Sequence, residues 1–522
     1  MNFWGTDPER PGSIVRTSRT ADYAYDICEF PHLIVNQARV LDYFAEAAEN
    51  GPGRIVPDYG VEFVGLSVHD DGEHPVEVMV RSAGEERTIR AKFVVGCDGA
   101  RSGVRQAIGR THVGASAAHA WGVMDVLVNT DFPDWRTKCA INSEAGNILH
   151  IPREGGCLSR MYIDLGEVAD DDDHRVRQTP IEEIIRKANA ILSPYTLDVK
   201  EVAWHSVYEV GHRLTDRFDD VPLDELGTRT QRVFITGDAC HTHSAKAGQG
   251  MNVSMQDGFN LAWKLGHVLE GRSPESLLAT YSAERQVVAQ DLIDFDREWS
   301  TLMAKRPEEF ADPSELADFY VRTAEFPAGF MTEYSPSAIV GEATHQHLAS
   351  GFPIGKRFKS ALTSRVADAN HIHLGHHATA DGRWRIYVFA DDASPSSGRS
   401  TELAAWLQDA PESPLRVVPD GVRADDWFDV KIVYQQRHTD IDLGAVPPVF
   451  LPRVGPFDLI DYEKVYAVHP EVDIFEERGI DRDGAIVVVR PDQYVAHVLP
   501  LTATAELAAF FDGVMGRETM PA

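Results

Sequence analysis

The sequence has 522 residues, 43% hydrophobic and 25% charged, which excludes wholesale disorder and suggests roughly two to four globular domains. Its 50 basic and 81 acidic residues leave a net charge of −31, a balance that repels phosphate backbones and anionic lipid and argues against a nucleic-acid or membrane partner. Five widely spaced cysteines (Cys28, Cys97, Cys139, Cys157, Cys240) without a CxxC exclude a disulfide framework and a zinc ribbon, and point to a reducing, cytoplasmic setting. The start shows no signal-peptide pattern, and no apolar run is long enough to span a membrane.

In chain order, the Pro-, Gly- and charge-rich opening through Gly12 predicts a loop. Val40, Leu41, Phe44 and Ala47–Ala48 recur at helical spacing and predict an amphipathic helix over 35–48. Strands are expected at 60–68, 76–81 and 88–95. From about Ala115 to Val210 short β-rich runs (121–128, 147–151, 158–165, 202–210) surround one helix at 180–190, a pattern for a separate sheet. The acidic run Asp170–Asp173 suits a solvated loop. A short strand at 232–236 precedes helices at about 252–270, 274–303 and 313–325. Residues 326–350 suit a linker, and 351–522 mix strands (384–389, 486–489, 495–499) with helices (402–410, 503–515). The fold class is α/β.

Two motifs carry chemistry. In Cys97-Asp98-Gly99-Ala100-Arg101-Ser102, a strand delivers Asp98 to its carboxyl end, where open α/β sheets bind ligands. Gly99 allows a sharp turn, and Ser102 is placed to cap the next helix; alone the motif is a weak signal, since an Asp-Gly after a strand is usually just a turn. In Gly237-Asp238-Ala239-Cys240-His241, continuing to Gly248-Gln249-Gly250-Met251-Asn252, a second carboxylate follows a strand, and a glycine loop opens a long helix. Such a helix end, with its free N–H groups, favours a ligand that becomes anionic. The plain alternative is a turn and a helix whose core is Met251, Met255, Phe259 and Leu265. His241 with His243, or His371, His373, His376 and His377, lack carboxylate or cysteine partners at metal-ligand spacing and are read as solvated or packing side chains, with no metal.

Together with Phe30-Pro31-His32-Leu33-Ile34-Val35-Asn36-Gln37-Ala38-Arg39-Val40, Ile151-Pro152-Arg153-Glu154 and Arg160-Met161-Tyr162, these motifs resemble the single-component FAD-dependent aromatic hydroxylases with the p-hydroxybenzoate hydroxylase fold, closest to phenol 2-monooxygenases and 3-hydroxybenzoate 4-monooxygenases. The resemblance implies a Rossmann-like FAD-binding domain in two parts, 1–114 and 231–340, interrupted by a β-rich substrate domain at 115–230 and followed by a thioredoxin-like domain at 351–522. It assigns Gln37, Asp98, Asp238, Gly248, Gln249, Gly250, Met251 and Asn252 to FAD, and Tyr162 to both flavin and phenolic substrate. Arg153 belongs with Tyr162 in the catalytic pocket, and Asp98 is also linked to NADPH. The implied reaction uses NADPH, FAD and O2, through a flavin hydroperoxide, to hydroxylate a phenol beside its hydroxyl. The thioredoxin-like part carries no cysteine, which excludes redox work and leaves packing and homodimer contacts.

Two departures from the family stand out. Ala245 replaces a proline between Ser244 and Lys246, removing a fixed φ. No GxGxxG occurs, so the first βαβ unit, with its pyrophosphate turn, is expected to be lacking. On that ground the sequence predicts weak FAD binding, and the alternative is an N-terminally truncated, FAD-free, non-enzymatic remnant.

Overall fold

The computed structural model describes residues 1–21, 30, 32–168, 172, 174–244, 248–305, 309, 312, 314–326, 328–392 and 394–517. Cys28, the Ala245 departure and most of the acidic run at 170–173 lie outside the described residues. The chain divides into two compact units, one of Met1–Ala24, Pro31–Gly258 and Arg285–Pro327, the other of Tyr25–Phe30, Phe259–Glu284 and Ala328–Ala522.

The first unit begins with a departure from expectation. The opening is not a loop but a hairpin, β1 (Asn2–Thr6) and β2 (Ile14–Arg19), with Phe3 and Trp4 buried. Proline, glycine and charge cluster only in the intervening turn, so composition masked the strands. Helix α1 (Gln37–Asn50) is capped by Asn36, whose side chain accepts from the Ala38 N–H. Its apolar positions Leu41 and Phe44 are 68% and 61% exposed, so the expected amphipathic face is not buried among the described residues. Strands β3 (Val61–Val68), β4 (Val76–Ser82) and β5 (Glu85–Ala91) form an antiparallel meander. The single strand expected at 88–95 splits, because β6 (Val94–Gly96) leaves the meander to join a different sheet.

The β-rich region is built on two 19-residue strands, β7 (His112–Thr130) and β11 (Leu197–Thr215), each longer than the run expected from alternation. Register shifts at 199–201, 202–204 and 209–211 interrupt the period of two and hide the continuity of β11 in the sequence. With β8 (Cys139–Ser143), β9 (Gly146–Pro152), β10 (Ser159–Glu167) and β13 (His241–Thr242) they form an eight-stranded sheet ordered β13-β11-β7-β10-β9-β8-β1-β2. One face, with Met124, Val126, Ile148, Met161 and Ile163, packs on α3 (Ile181–Ile191). The opposite face, with Phe3, Trp121, Val123, Leu149 and Tyr162, packs on α5 (Ala279–Ala304) and α6 (Glu315–Arg322). On the α3 side His150 is sealed beside Trp135, and its Nδ1–H donates to the Thr137 carbonyl at 3.1 Å.

A parallel pair, β6 with β12 (Val233–Ile235), sets Gly96 opposite Ile235 and brings both motifs to one sheet end. From there α4 (Gly250–Leu269) starts at Gly250, two residues before the expected point. Its buried positions are not the methionine and leucine core read from sequence: Met255 is exposed, while Val253, Asp257, Asn260, Leu261 and Lys264 are buried.

In the second unit β16 (Trp384–Phe389) and β17 (Phe428–Tyr434) run parallel, with helix Arg399–Asp409 between them in sequence. Strands Ala485–Val489 and Val495–Leu499 add an antiparallel hairpin, and helix Thr504–Met515 follows, the thioredoxin-like arrangement. Here Glu284 accepts from Arg490 at 2.5 and 2.9 Å, from Lys264 at 2.7 Å and from Asn260 at 2.8 Å. Asp492 accepts from Trp263 at 3.0 Å and closes the cluster. Burial opposes the Glu284 charge, but Arg490 and Lys264 hold its carboxyl down at about 2. Among the described residues no helix is long and apolar enough to cross a membrane.

Two stability outcomes follow. Glu284→Ala takes from the buried Lys264 ammonium the carboxylate it bonds, leaves Arg490 with Asp492 alone, and should cost about 3–5 kcal/mol, read as a lower urea midpoint in tryptophan fluorescence. Burial pushes His150 down to about 4. The unfolded chain, titrating near 6.5, therefore takes up a proton that the folded one does not, and stability present at neutral pH should be lost as pH falls from about 6.5 to 4, by roughly 3 kcal/mol. In His150→Gln that part of the pH slope should vanish; an unaltered slope counts against a neutral buried His150.

Candidate functional site

At the carboxyl end of β12 the chain turns through Gly237, whose φ of +58° is in the left-handed region. Gly237 and Ala239 are buried, whereas Asp238 between them is exposed, and no described residue donates a hydrogen bond to its carboxylate. At the end of neighbouring β6, Gly99 turns with φ +79°. Ser102 caps α2 (Gly103–Ala107) as the spacing predicts, accepting from Arg105 N at 2.9 Å. Asp98 is exposed and accepts from Val104 N at 3.0 Å, so its carboxylate supports the same helix start. The two motifs are joined by Arg105, which donates to the Ala239 carbonyl at 3.0 Å and to the Ala100 carbonyl at 2.9 Å.

Gly248 also has positive φ, +67°, and a side chain built on it would meet open space. Gln249 and Asn252 bond each other at 3.1 Å across the first turn of α4. A Cβ on Gly250 would sit 2.6 Å from the His243 ring, so glycine is required there by packing. An outward carboxylate at a strand end, an open glycine turn and the amino end of a 20-residue helix are the parts a polyol-bearing anionic cofactor needs, and the residues fit a flavin in this respect.

Beneath this turn lie groups that the sequence reading did not assign. Asp257, fully buried on α4, accepts from Gly237 N at 3.3 Å, His241 Nε2 at 2.8 Å and Arg285 Nε at 2.6 Å. Burial works against its charge, and Arg285 and His241 override it to lower its pKa. His112, facing Arg105 and Arg213, is pushed down to about 4 by burial and by those cations. His241, weighed in sequence as a metal ligand, is therefore a hydrogen-bonding strut.

Tyr162 sits on the eight-stranded sheet, opposite Val123 on one side and Leu149 on the other. Arg160, two residues away and so on the same face, is held by Asp125 through two bonds of 2.7 Å and lies 5.2 Å from the Trp204 ring. Burial disfavours the Arg160 charge, but hydrogen bonds to Asp125 and the nearby Tyr162 raise its pKa. Tyr208 is raised by burial and by the adjacent Tyr162. Arg153 follows the end of β9, is buried, and donates from Nε to Glu154 at 3.1 Å. Glu154 is lowered first by Arg153, and Asn36 at the start of α1 also reaches it, so the Gln37 end of α1 and the Arg153 turn are neighbours. Gln37 itself is exposed.

The structure thus gathers Asp98, Asp238 and Gly248–Asn252 at one sheet end, and Tyr162 with Arg160 on a sheet face. These places are linked by β13, which follows Asp238 and pairs with β11. Three interstrand steps separate β13 from β10, about 14 Å at the usual spacing. Asp125, Arg160 and Tyr208 beside Tyr162 were legible only as same-face positions on strands; Asp257 and Arg285 left no local signal.

The chain matches the FAD binding domain family over residues 8–296 and the phenol hydroxylase C-terminal dimerisation domain over 332–519. It is 49% identical to a 3-hydroxybenzoate 4-monooxygenase of Comamonas testosteroni, over 99% of this chain and 84% of that protein. It is 36% identical to a phenol 2-monooxygenase of Aspergillus fumigatus, over 86% of this chain and 74% of that one. Among solved structures, aklavinone-11 hydroxylase in complex with FAD and aklavinone superposes with a TM-score of 0.62 at 19% identity, covering 92% of this chain and 78% of the other, a likeness of fold. These comparisons favour an enzyme over an FAD-free remnant. With a family match over more than half its length and a relative 49% identical along nearly all of it, the chain belongs to the FAD-dependent aromatic monooxygenases.

Proposed function

We propose that this chain hydroxylates a phenolic aromatic compound of the 3-hydroxybenzoate type, with NADPH as reductant and O2 as oxidant. The balance is one NADPH, one proton, one O2 and one arene giving the phenolic product, NADP+ and water. The observation that carries the reading is the outward Asp238 carboxylate beside the open Gly248 turn at the start of α4. FAD, when bound, supplies the electron transfer and oxygen activation. Asp238, Gly248, Gln249, Gly250, Met251 and Asn252, with Gln37 and Asp98, are the residues that would hold it, Asp238 through its carboxylate and the glycine loop through its backbone. Tyr162, steadied by Arg160, orients the phenolic oxygen, and Arg153 contributes charge to the same pocket. Trp121, Val123 and Leu149 around Tyr162 keep water from the reacting ring.

The domain roles follow the same reading: 115–230 binds substrate, 1–114 and 231–340 bind FAD, and 351–522 supports a homodimer, in keeping with its match to a dimerisation domain. The absence of a CxxC favours a cytoplasmic enzyme.

Asp238→Ala should weaken FAD affinity about tenfold to a hundredfold through loss of a charge-assisted hydrogen bond, with the thermal midpoint of the flavin-free protein little changed. Flavin titration and melting of the two proteins check this; equal affinity removes Asp238 from the site. Tyr162→Phe keeps the ring's packing and deletes the hydroxyl. Product formed per NADPH oxidised, with 3-hydroxybenzoate as substrate, should fall while NADPH oxidation persists and hydrogen peroxide rises. An unchanged ratio takes Tyr162 out of contact with substrate.

A further inference from the structure

A third buried group connects the substrate sheet to the glycine loop. Asp296 on α5 has no exposed surface. Its Oδ2 accepts from His212 Nε2 at 2.8 Å and from the Ser244 backbone N–H at 2.7 Å, and its Oδ1 accepts from the Ser244 hydroxyl at 2.5 Å. His212 belongs to β11, the strand that carries Tyr208 beside Tyr162. Ser244 closes the segment that starts at Asp238. Its carbonyl accepts from His243 Nδ1 at 2.8 Å, and the His243 ring lies against Gly250. The path from β11 to the loop is therefore continuous: His212, Asp296, Ser244, His243, Gly250.

The same segment is bound to β11 by backbone as well. Leu214 pairs with His241 and Arg213 with Thr242, the Thr242 hydroxyl donates to Gly211 O at 3.0 Å, and Thr215 N donates to Cys240 O at 2.8 Å. These bonds end at Thr242. Beyond it, Ser244 is held to Asp296 by two hydrogen bonds, its hydroxyl also lies 3.4 Å from that of Ser300, and the His243 ring packs against Gly250.

We propose that His212, Asp296 and Ser244 form a clamp of positioning residues that sets the height of the Gly248–Asn252 loop over the substrate sheet, and so decides whether reducing equivalents reach the arene or leave as hydrogen peroxide. The proposal rests on the reading of that loop as the flavin cradle. None of the three need touch flavin or substrate. A side chain built only for stability would lower the melting point; a clamp that sets registration changes coupling while affinity stays.

The test uses His212→Leu, which removes the donor, His212→Gln, which keeps an N–H donor at similar reach, and Ser244→Ala, which removes one hydrogen bond and leaves the backbone. In the full chain without added flavin, amide exchange of peptides covering 241–252 should speed up about tenfold in His212→Leu and less in Ser244→Ala, as expected for loss of a charge-assisted bond, with α3 and β8–β9 peptides unchanged. In the flavin-loaded enzyme, product per NADPH should fall about threefold or more in His212→Leu, with FAD affinity within about threefold of the parent and hydrogen peroxide making up the difference; His212→Gln should restore most of the coupling. Unchanged exchange in 241–252 in both His212→Leu and Ser244→Ala overturns the clamp, whatever the catalytic outcome. So does parental coupling in His212→Leu. If His212→Leu does not fold, Ser244→Ala decides, and parental exchange there overturns it. A parent chain that binds no FAD or forms no product refutes the functional reading instead, while the flavin-free exchange still decides the clamp.

Discussion

The interaction on which the rest depends is the placement of a fully buried carboxylate, Asp257, under the turn after β12. One group there accepts from the Gly237 backbone, the His241 ring and the Arg285 guanidinium. A buried carboxylate is tolerable only when its lone pairs are taken and a cation faces it. That requirement locks the turn between a helix and a strand end. Gly237 and Ala239 are buried over this network, and Asp238 between them is exposed.

The contrast between buried and exposed carboxylates separates scaffold from site. Asp257, Asp296, Asp125 and Asp164 are each partnered by a cation, a histidine or a backbone N–H. Asp98, though exposed, accepts from Val104 N and holds the start of α2. Asp238 has no such described partner. Two strand-end acids that look alike in the sequence therefore differ: one oxygen of Asp98 also holds the start of its own helix, while the Asp238 carboxylate has no described donor. This asymmetry is invisible without coordinates, because both follow a strand and both neighbour glycine.

What the sequence made legible were features encoded locally. The helix start at Ser102, the strand-end acids, the glycine turn before α4 and the hydrophobic strands of the second unit were all written in residue type and short spacing. What it concealed depended on distant partners. The hairpin at 2–19 takes its burial from β8, so its Pro- and Gly-rich turn outweighed two short strands. The bulges in β11 broke the alternation that would have revealed a 19-residue strand. Most telling is α4: its apolar residues suggested a hydrophobic core helix, yet its buried positions include Asp257, Asn260 and Lys264. Each finds a partner far away in the chain, Arg285 for Asp257 and Glu284 for Lys264 and Asn260. Hydropathy alone assigns such residues to the surface.

Arg285 and Glu284 are consecutive on α5, and they serve opposite purposes. Glu284 completes a cluster with Arg490 and Lys264 in the second unit, and Arg285 completes Asp257 in the first. Twelve residues farther along the helix from Glu284, Asp296 meets His212 and Ser244. Within the first unit, Arg285 holds Asp257 under the start of the turn after β12, and Asp296, eleven residues farther along α5, holds Ser244 on the same segment.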